Sequence, residues 1–405
     1  PNSSLDHDLS ARELLDRSTS RVEKWTDQPE LQAELLGTLG TVYSAQAEYE
    51  RAEQLLQQAI RLQEGRGVGA SAEVATLYLE LGRVQTAYAR LEEARESLDH
   101  AHRLEAARCG EQSLEVAAVL AELARLEAQR GDYGAAERLR RDVLERRSAL
   151  LGRDHPEVAR AMRDLGVVLD QQGLRVEAEA AYREALDSYR RIGGQEVEEA
   201  AVLNNLAGLL SFAGDFERAA ATHQEALELR TRLLGPRHPL VARSLHNLGW
   251  VEELRGHPAE ARKNLGLSLE IREEIFGKEH PESLKTAMLL NQARLLDREP
   301  TLGEAMRVFE GRRSRLGAEH PDTAHALAIL GIAQVQEGFL SAADVTLTTA
   351  IQLEAQVLGP TQAERAFPYL GLGLLREQQG RFAEAQTAYQ QAVDQWNGLL
   401  LDNHP

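Results

Sequence analysis

Residues 156–194 read "PEVARAMRDLGVVLDQQGLRVEAEAAYREALDSYRRIGG", and this stretch holds the plan of the whole chain. Val158, Met162, Leu165, Val168 and Leu169 fall at the three-to-four spacing of an amphipathic helix, and Gly173 ends the run. A second helical run follows through Ala178, Ala181, Tyr182, Ala185 and Leu186, with Gly194 just beyond it. Glycine suits both breaks because a left-handed helix end carries little steric penalty without a Cβ. The alanines suit a close approach of two helix backbones, which larger side chains would hold apart. The stretch predicts a helical hairpin that cannot bury its own apolar face.

The hairpin recurs. Gly69, Gly110, Gly152, Gly194, Gly235, Gly277, Gly317 and Gly359 stand 40 to 42 residues apart, and Ala52, Ala94, Ala136, Ala178, Ala219, Ala261, Ala305, Ala343 and Ala385 run in parallel. A third marker precedes most of these alanines by five residues, at Gly131, Gly173, Gly214, Gly256, Gly338 and Gly380. Nine copies fill residues 29–405, and their stacking predicts one continuous all-helical core. Residues 1–28 are a linker and a helix, "SARELLDRSTSRVEKW", with Ser10 and Glu13 at capping-box spacing, placed to cover the first repeat. The array is irregular at 281–320. Ala261 to His280 spans 19 residues but Ala305 to His320 only 15, which predicts a second helix shortened by about one turn and a change of pitch or a more mobile seam there. At the far end His404-Pro405 stands at the threshold of a possible further repeat.

A Leu-Gly pair followed by Ala twelve residues on, as in Leu165-Gly166 with Ala178 and Leu248-Gly249 with Ala261, resembles the tetratricopeptide repeat. Tyr43 after Gly40 and Tyr182 after Ala178 fit further positions of that pattern. The period of about 42, the connections "LGRDHP", "LGPRHP", "FGKEHP" and "LGAEHP", and "LNNLAGLL" at 203–210 resemble the kinesin-light-chain subclass. The resemblance implies a right-handed superhelical solenoid of about nine helix-turn-helix units with an N-terminal capping helix. The start of the chain, through "DQPELQAELLGTLGTVYSAQAEYERAEQLLQQAI", is similar to arrays C-terminal to bacterial Ser/Thr protein kinase domains, which implies an upstream kinase domain in a longer chain. No kinase motif occurs in these 405 residues.

Composition narrows the function. The formal charge of −18 opposes nucleic acid, whose backbone demands concentrated Lys and Arg. Cys109 is the single cysteine, so no internal disulfide can form and a reducing, cytoplasmic setting is expected. No apolar run approaches the roughly 18 residues that span a membrane. The His-Pro histidines His155, His238, His280 and His320 stand one repeat apart, too far to share one metal ion, and read as fold punctuation with Pro in the first helical turn. "GRGVGAS" at 65–71 lacks the Lys and Ser/Thr of a phosphate loop and reads as a linker. Cys109 has no evident His partner. "RLRRDVLERR" at 138–147 is interleaved with Asp142 and Glu145 and reads as a solvated face, while "GRRSRLG" at 311–317 is more purely basic and suits an acidic partner. No catalytic constellation, metal site or cofactor site emerges, so the chain is read as no enzyme.

The inner face of the first helices remains. Counted from the Leu-Gly marker, repeats four to six place Arg160, Arg163, Asp164, Asn204, Asn205, Arg243, His246, Asn247 and Trp250 on it. Asparagine amides can grip a peptide backbone, arginine can pair with carboxylates, and tryptophan is a frequent binding anchor. The kinesin-light-chain resemblance implies that Asn205 and Asn247 contact bound peptide. The alternative is that Trp250 packs on its neighbours and the amides are merely solvated. Farther on, Met288, Ile329, Ile332, Phe367 and Leu374 turn the face apolar, for a hydrophobic ligand or for cover by the next repeat. The expected role is a protein-protein interaction scaffold, within a larger bacterial signalling protein, that binds a peptide or protein segment. The alternative is a self-associating or autoinhibitory module packed on its own upstream domain.

Overall fold

The computed structural model describes residues 11–25, 27–67, 71–296, 299, 301–357 and 365–402. Ser10 of the expected capping box, the tip of the 65–71 linker with Gly69, Gly359 and His404-Pro405 lie outside the described residues. Those described form nineteen α-helices and no strand. The chain divides into two compact units, Pro1–Val202 and Leu203–Pro405. The first holds α1 (Ala11–Glu23) and the hairpins α2 (Pro29–Ala45) with α3 (Tyr49–Gly65), α4 (Ala72–Ala87) with α5 (Leu91–Cys109), α6 (Leu114–Gln129) with α7 (Tyr133–Leu151), and α8 (Pro156–Gln171) with α9 (Arg175–Ile192). The boundary falls inside α10 (Glu196–Phe212). The second unit continues with α11 (Phe216–Leu234) and the hairpins α12 (Pro239–Leu254) with α13 (Pro258–Phe276), α14 (Pro281–Leu296) with α15 (Leu302–Leu316), α16 (Pro321–Gln336) with α17 (Leu340–Val357), and α18 (Ala366–Gln378) with α19 (Phe382–Asp402).

The helix ends follow from the punctuation residues. His155, His238, His280 and His320 each turn ring Nδ1 onto the backbone N–H two residues on, at 3.2, 3.1, 3.2 and 3.1 Å, and so satisfy an orphan donor of the helix that Pro begins. Their role is capping, the job more often given to Ser or Asp. Inside most hairpins the turn glycine sits at positive φ, as Gly131 does at 84°. The first two hairpins lack that glycine, and Ala47 and Ala89 adopt φ 60° in its place. The backbone therefore keeps its path and an alanine carries the strain.

Inside each regular hairpin one first-helix residue faces the side chain sixteen positions later. A Cβ on Gly40 would lie 2.8 Å from Leu56, on Gly82 2.6 Å from Leu98, on Gly166 2.8 Å from Tyr182, on Gly249 2.7 Å from Leu265 and on Gly331 2.6 Å from Leu347. These are sockets, with Leu56, Leu98, Leu265 and Leu347 wholly buried in them. In the first unit the sockets feed two apolar clusters, one including Leu36, Leu56 and Leu81, the other Leu98, Leu123 and Val143. Helix α1 closes the first of these. Gln32 Nε2 donates to Val22 O at 2.9 Å, and Tyr43 Oη donates to Asp16 at 2.5 Å. In the second unit α15 has 15 residues where α13 has 19, the shortened second helix expected from the spacing.

Two sockets of regular hairpins are closed by alanine in place of glycine, at Ala124 and Ala207, and both receive polar residues, Arg140 and His223. His223 is 1% exposed, and burial, assisted by Arg230, lowers its pKa to about 4. His325 is likewise buried, edge-on to Phe367 at 4.9 Å, and burial lowers it to about 4.

Two outcomes are expected. Replacing Ala89→Gly removes a left-handed alanine and raises the urea midpoint by the equivalent of about 1 kcal/mol, whereas Gly256→Ala at the same hairpin position lowers it by about as much. Because the folded chain keeps His223 and His325 neutral down to about pH 4 while the unfolded chain protonates near 6.5, their contribution is complete above pH 6.5 and is lost as pH falls toward 4. At pH 5 each costs about 2 kcal/mol. His223→Leu, which restores the residue of other sockets, flattens that dependence in urea titrations run between pH 7.5 and 5; an unchanged slope would remove His223 from the explanation.

Candidate functional site

The predicted set divides at the boundary between units. In the first unit Arg160, Arg163 and Asp164 lie on α8 and are half-buried. They are engaged with other charges. Arg163 pairs with Glu198 at 2.7 Å and with Asp164 at 2.9 Å, and Arg160 pairs with Glu157 at 2.9 Å and Glu198 at 3.6 Å. The same pattern continues upstream, where Arg83 pairs with Glu80 at 2.5 Å and Glu122 at 2.9 Å, and Arg125 pairs with Glu122 at 2.8 Å. Despite burial, Arg125 and Arg83 hold the Glu122 carboxyl below its ordinary value. This face is thus a network of paired charges with little net sign.

In the second unit Asn204 and Asn205 lie on α10, and Arg243, His246, Asn247 and Trp250 on α12. Asn247 Nδ2 donates to Asn204 Oδ1 at 2.9 Å, which joins two of the predicted amides directly. Trp250 is half-buried and meets the ring of Phe212 at 5.7 Å, tilted by 53°, while Phe212 itself is 67% exposed. Arg243 is exposed and takes part in no ion pair among the described residues. Arg243, Asn247 and Trp250 sit at i, i+4 and i+7, one side of one helix.

His246 departs from the expected placement. It is 6% exposed, its Nδ1 lies 3.1 Å from Thr286 Oγ1, and burial beside Arg272 and Lys285 lowers its pKa to about 3. The residue is a neutral core group facing α14, not a groove contact, because it lies one position off the exposed stripe of α12. The apolar C-terminal part of the face is also closed. Ile329 and Ile332 are buried in a cluster with Leu375, and Phe367 and Leu374 pack against it, so the next hairpin covers them.

The basic runs are solvated only in part. On α7, Arg146 does make the expected pair with Asp142 at 2.6 Å and Arg141 is 57% exposed, yet Arg140, Arg146 and Arg147 are each only 12% exposed. Arg147 belongs to a repeating junction. Its Nη1 reaches Glu157 O, ten residues on, at 3.3 Å, as Arg230 reaches Leu240 O at 3.5 Å and Arg272 reaches Glu282 O at 2.8 Å. Arg312, from the run at 311–317, is 4% exposed and donates to Asp322 at the same junction, whereas Arg313, paired with Glu310 at 2.8 Å, and Arg315 are exposed. Arg140 is the residue the sequence reading missed. The signal was present: it stands sixteen residues after Ala124, where the hairpins with a socket glycine place Leu or Tyr. Among the described residues no group of His, Cys, Asp and Glu is arranged to hold a metal ion, and no helix is long and apolar enough to cross a membrane.

Comparison with known proteins agrees with this architecture. Family models of the tetratricopeptide repeat match residues 33–64, 115–191, 198–274 and 370–403, together more than half of the chain. No curated protein matches the sequence. Among solved structures, the apo form of RapI is 15% identical with a TM-score of 0.65, covering 92% of this chain and 99% of that one. A Rap protein complexed with competence and sporulation factor is 15% identical with a TM-score of 0.55, covering 93% and 100%. Kinesin light chain repeats from Podosopora anserina are 21% identical with a TM-score of 0.43, covering 48% and 94%. With its period, its sockets and the matched residues in agreement, the chain belongs to the tetratricopeptide repeat family.

Proposed function

We propose that the chain is a non-enzymatic interaction scaffold that takes a peptide or protein segment on the first-helix faces of its hairpins. One observation carries the proposal: α12 presents Arg243, Asn247 and Trp250 along one partly open stripe, while the positions that pack the core are filled by other residues. An aromatic flanked by an amide and an uncommitted cation offers a peptide an apolar anchor, a backbone partner and a carboxylate partner. The Trp250 contact with Phe212 does not close this surface, since Phe212 is itself exposed. Membership of a repeat family that hosts many binding roles supports the reading, as does a similar Rap array complexed with competence and sporulation factor. The similarity of the N-terminal residues to arrays behind bacterial Ser/Thr kinases supports a place in a larger signalling protein.

The test is a selection of random displayed peptides on the purified chain, followed by titration of the enriched sequences. Trp250→Ala combined with Asn205→Ala is expected to leave circular dichroism and the urea midpoint nearly unchanged while weakening binding by on the order of 2 kcal/mol, about thirtyfold. Enriched peptides that bind the double variant as tightly as the parent would eliminate the α10 and α12 face as the site.

A further inference from the structure

The first unit carries a cavity of about 620 Å³ on its first-helix side, bordered by α6 and α8 and floored by α7. Ala118 and Ala121 of α6 and Val167 of α8 give it small aliphatic walls. Arg83, Arg125, Arg147 and Arg160 also line it, and each is committed to a carboxylate of the chain within 3.2 Å. Arg140 is different. Its one partner is Asp164 Oδ2 at 3.4 Å, while Asp164 Oδ1 is already held by Arg163 at 2.9 Å. Its Nε is buried with no acceptor among the described residues. Burial, reinforced by Arg147 and Arg125 and opposed by Asp164 and Glu122, holds its guanidinium below the ordinary arginine value.

The origin of this arginine is the socket. In the other regular hairpins with glycine on the first helix, a Leu or Tyr seats against it. In α6 the wholly buried Ala124 stands at that position, and the residue sixteen positions later is Arg140, which lines the cavity. A buried cation with an unfilled donor is costly, and Arg140 presents one at an open cavity from which a ligand could complete it.

We propose that this cavity seats a single Asp or Glu side chain of an extended peptide, with Arg140 donating to both carboxylate oxygens. The charge balance sets the class. One weakly paired cation among firmly paired ones matches one carboxylate, whereas a polyphosphate or nucleic acid would need several and would meet a chain of net charge −18. The alanine and valine walls suit the aliphatic stem of that residue, and Gln129 on the lining offers an amide to the peptide backbone. This assignment rests on the reading of first-helix faces as peptide-binding surfaces, but uses residues of the other unit.

The experiment is a peptide-display selection on the intact chain with counter-selection on Arg140→Leu, a variant that restores the residue of neighbouring sockets. Arg140→Leu is expected to fold with a raised urea midpoint. Peptides that survive counter-selection are expected to carry one shared Asp or Glu, to lose at least tenfold in affinity on Arg140→Leu, and to lose as much on the parent chain when that residue becomes Asn or Gln. Combining both changes should cost no more than either alone. Survivors without an acidic residue, no survivors at all, or a variant less stable than the parent would overturn the assignment. Displacement of the peptides by sodium tripolyphosphate at matching concentration would overturn it too, making the cavity a general anion site. Peptides sensitive to Trp250→Ala with Asn205→Ala but indifferent to Arg140→Leu would sink this inference and leave the proposed function standing; the opposite pattern would leave this inference standing and remove the α10 and α12 face as a site.

Discussion

The contact on which each regular hairpin depends is the socket between a first-helix glycine or alanine and the side chain sixteen residues later. A missing Cβ allows two helix backbones to approach, and one branched or aromatic side chain then fills the gap. That residue is nearly or wholly buried at Leu56, Leu98, Tyr182, Leu265 and Leu347, and it fixes how far the second helix stands from the first. Once that distance is fixed, the remaining first-helix positions are sorted into those that meet the next hairpin and those left on the inner face. The variable residues of the inner face are therefore consequences of a constant contact behind them.

The fold was legible because its signals are local and repeated nine times. Gly173, Ala178 and the His-Pro pairs each specify a helix end or a close approach within a few residues, and the missing turn in α15 could be counted from two alanines and two histidines. The inner face was legible only in part. Arg160, Asp164, Asn247 and Trp250 lie where the phase of a single helix puts them. His246 does not, since a shift of one position on a helix turns a side chain by about 100° and moved it into the interface with α14. Arg140 and Arg147 failed for another reason. An arginine-rich run reads as solvated on composition alone, whereas the fate of each arginine is set by its offset from a marker on the preceding helix. Reading the chain in columns across repeats, instead of along the helix, distinguishes Arg141 on the surface from Arg147 at the junction.

Charge is arranged differently in the two units. On the inner side of the first, Glu80, Arg83, Glu122 and Arg125 neutralise one another, as do Glu157, Asp164 and Glu198 with Arg147, Arg160 and Arg163. Pairs of this kind lower the indiscriminate pull of an arginine-rich surface on anions. On the Arg243, Asn247 and Trp250 stripe of α12 in the second, Asn247 bonds to the Asn204 amide, and Arg243 stands apart from any pair among the described residues. The two faces therefore differ in how they would discriminate partners, one by displacing an existing balance and the other by supplying a charge that is free.

The buried arginines of the second unit carry a different lesson, about how such an array can change length. Arg230 bonds to Ser244 and to Leu240 O, Arg272 to Thr286 and to Glu282 O, and Arg312 to Asp322, each reaching from the end of one hairpin into the first turn of the next. Cutting the chain between hairpins at these points would strand a cation in an interface that no longer exists, and splicing in a foreign repeat would demand that its opening turn supply the missing acceptor. Duplication of a whole unit from one arginine to the next meets that demand automatically, since every copy brings the receiving turn with it. The junction thus acts as a grammar for repeat number: it favours growth and loss in steps of one complete period and resists any cut made elsewhere.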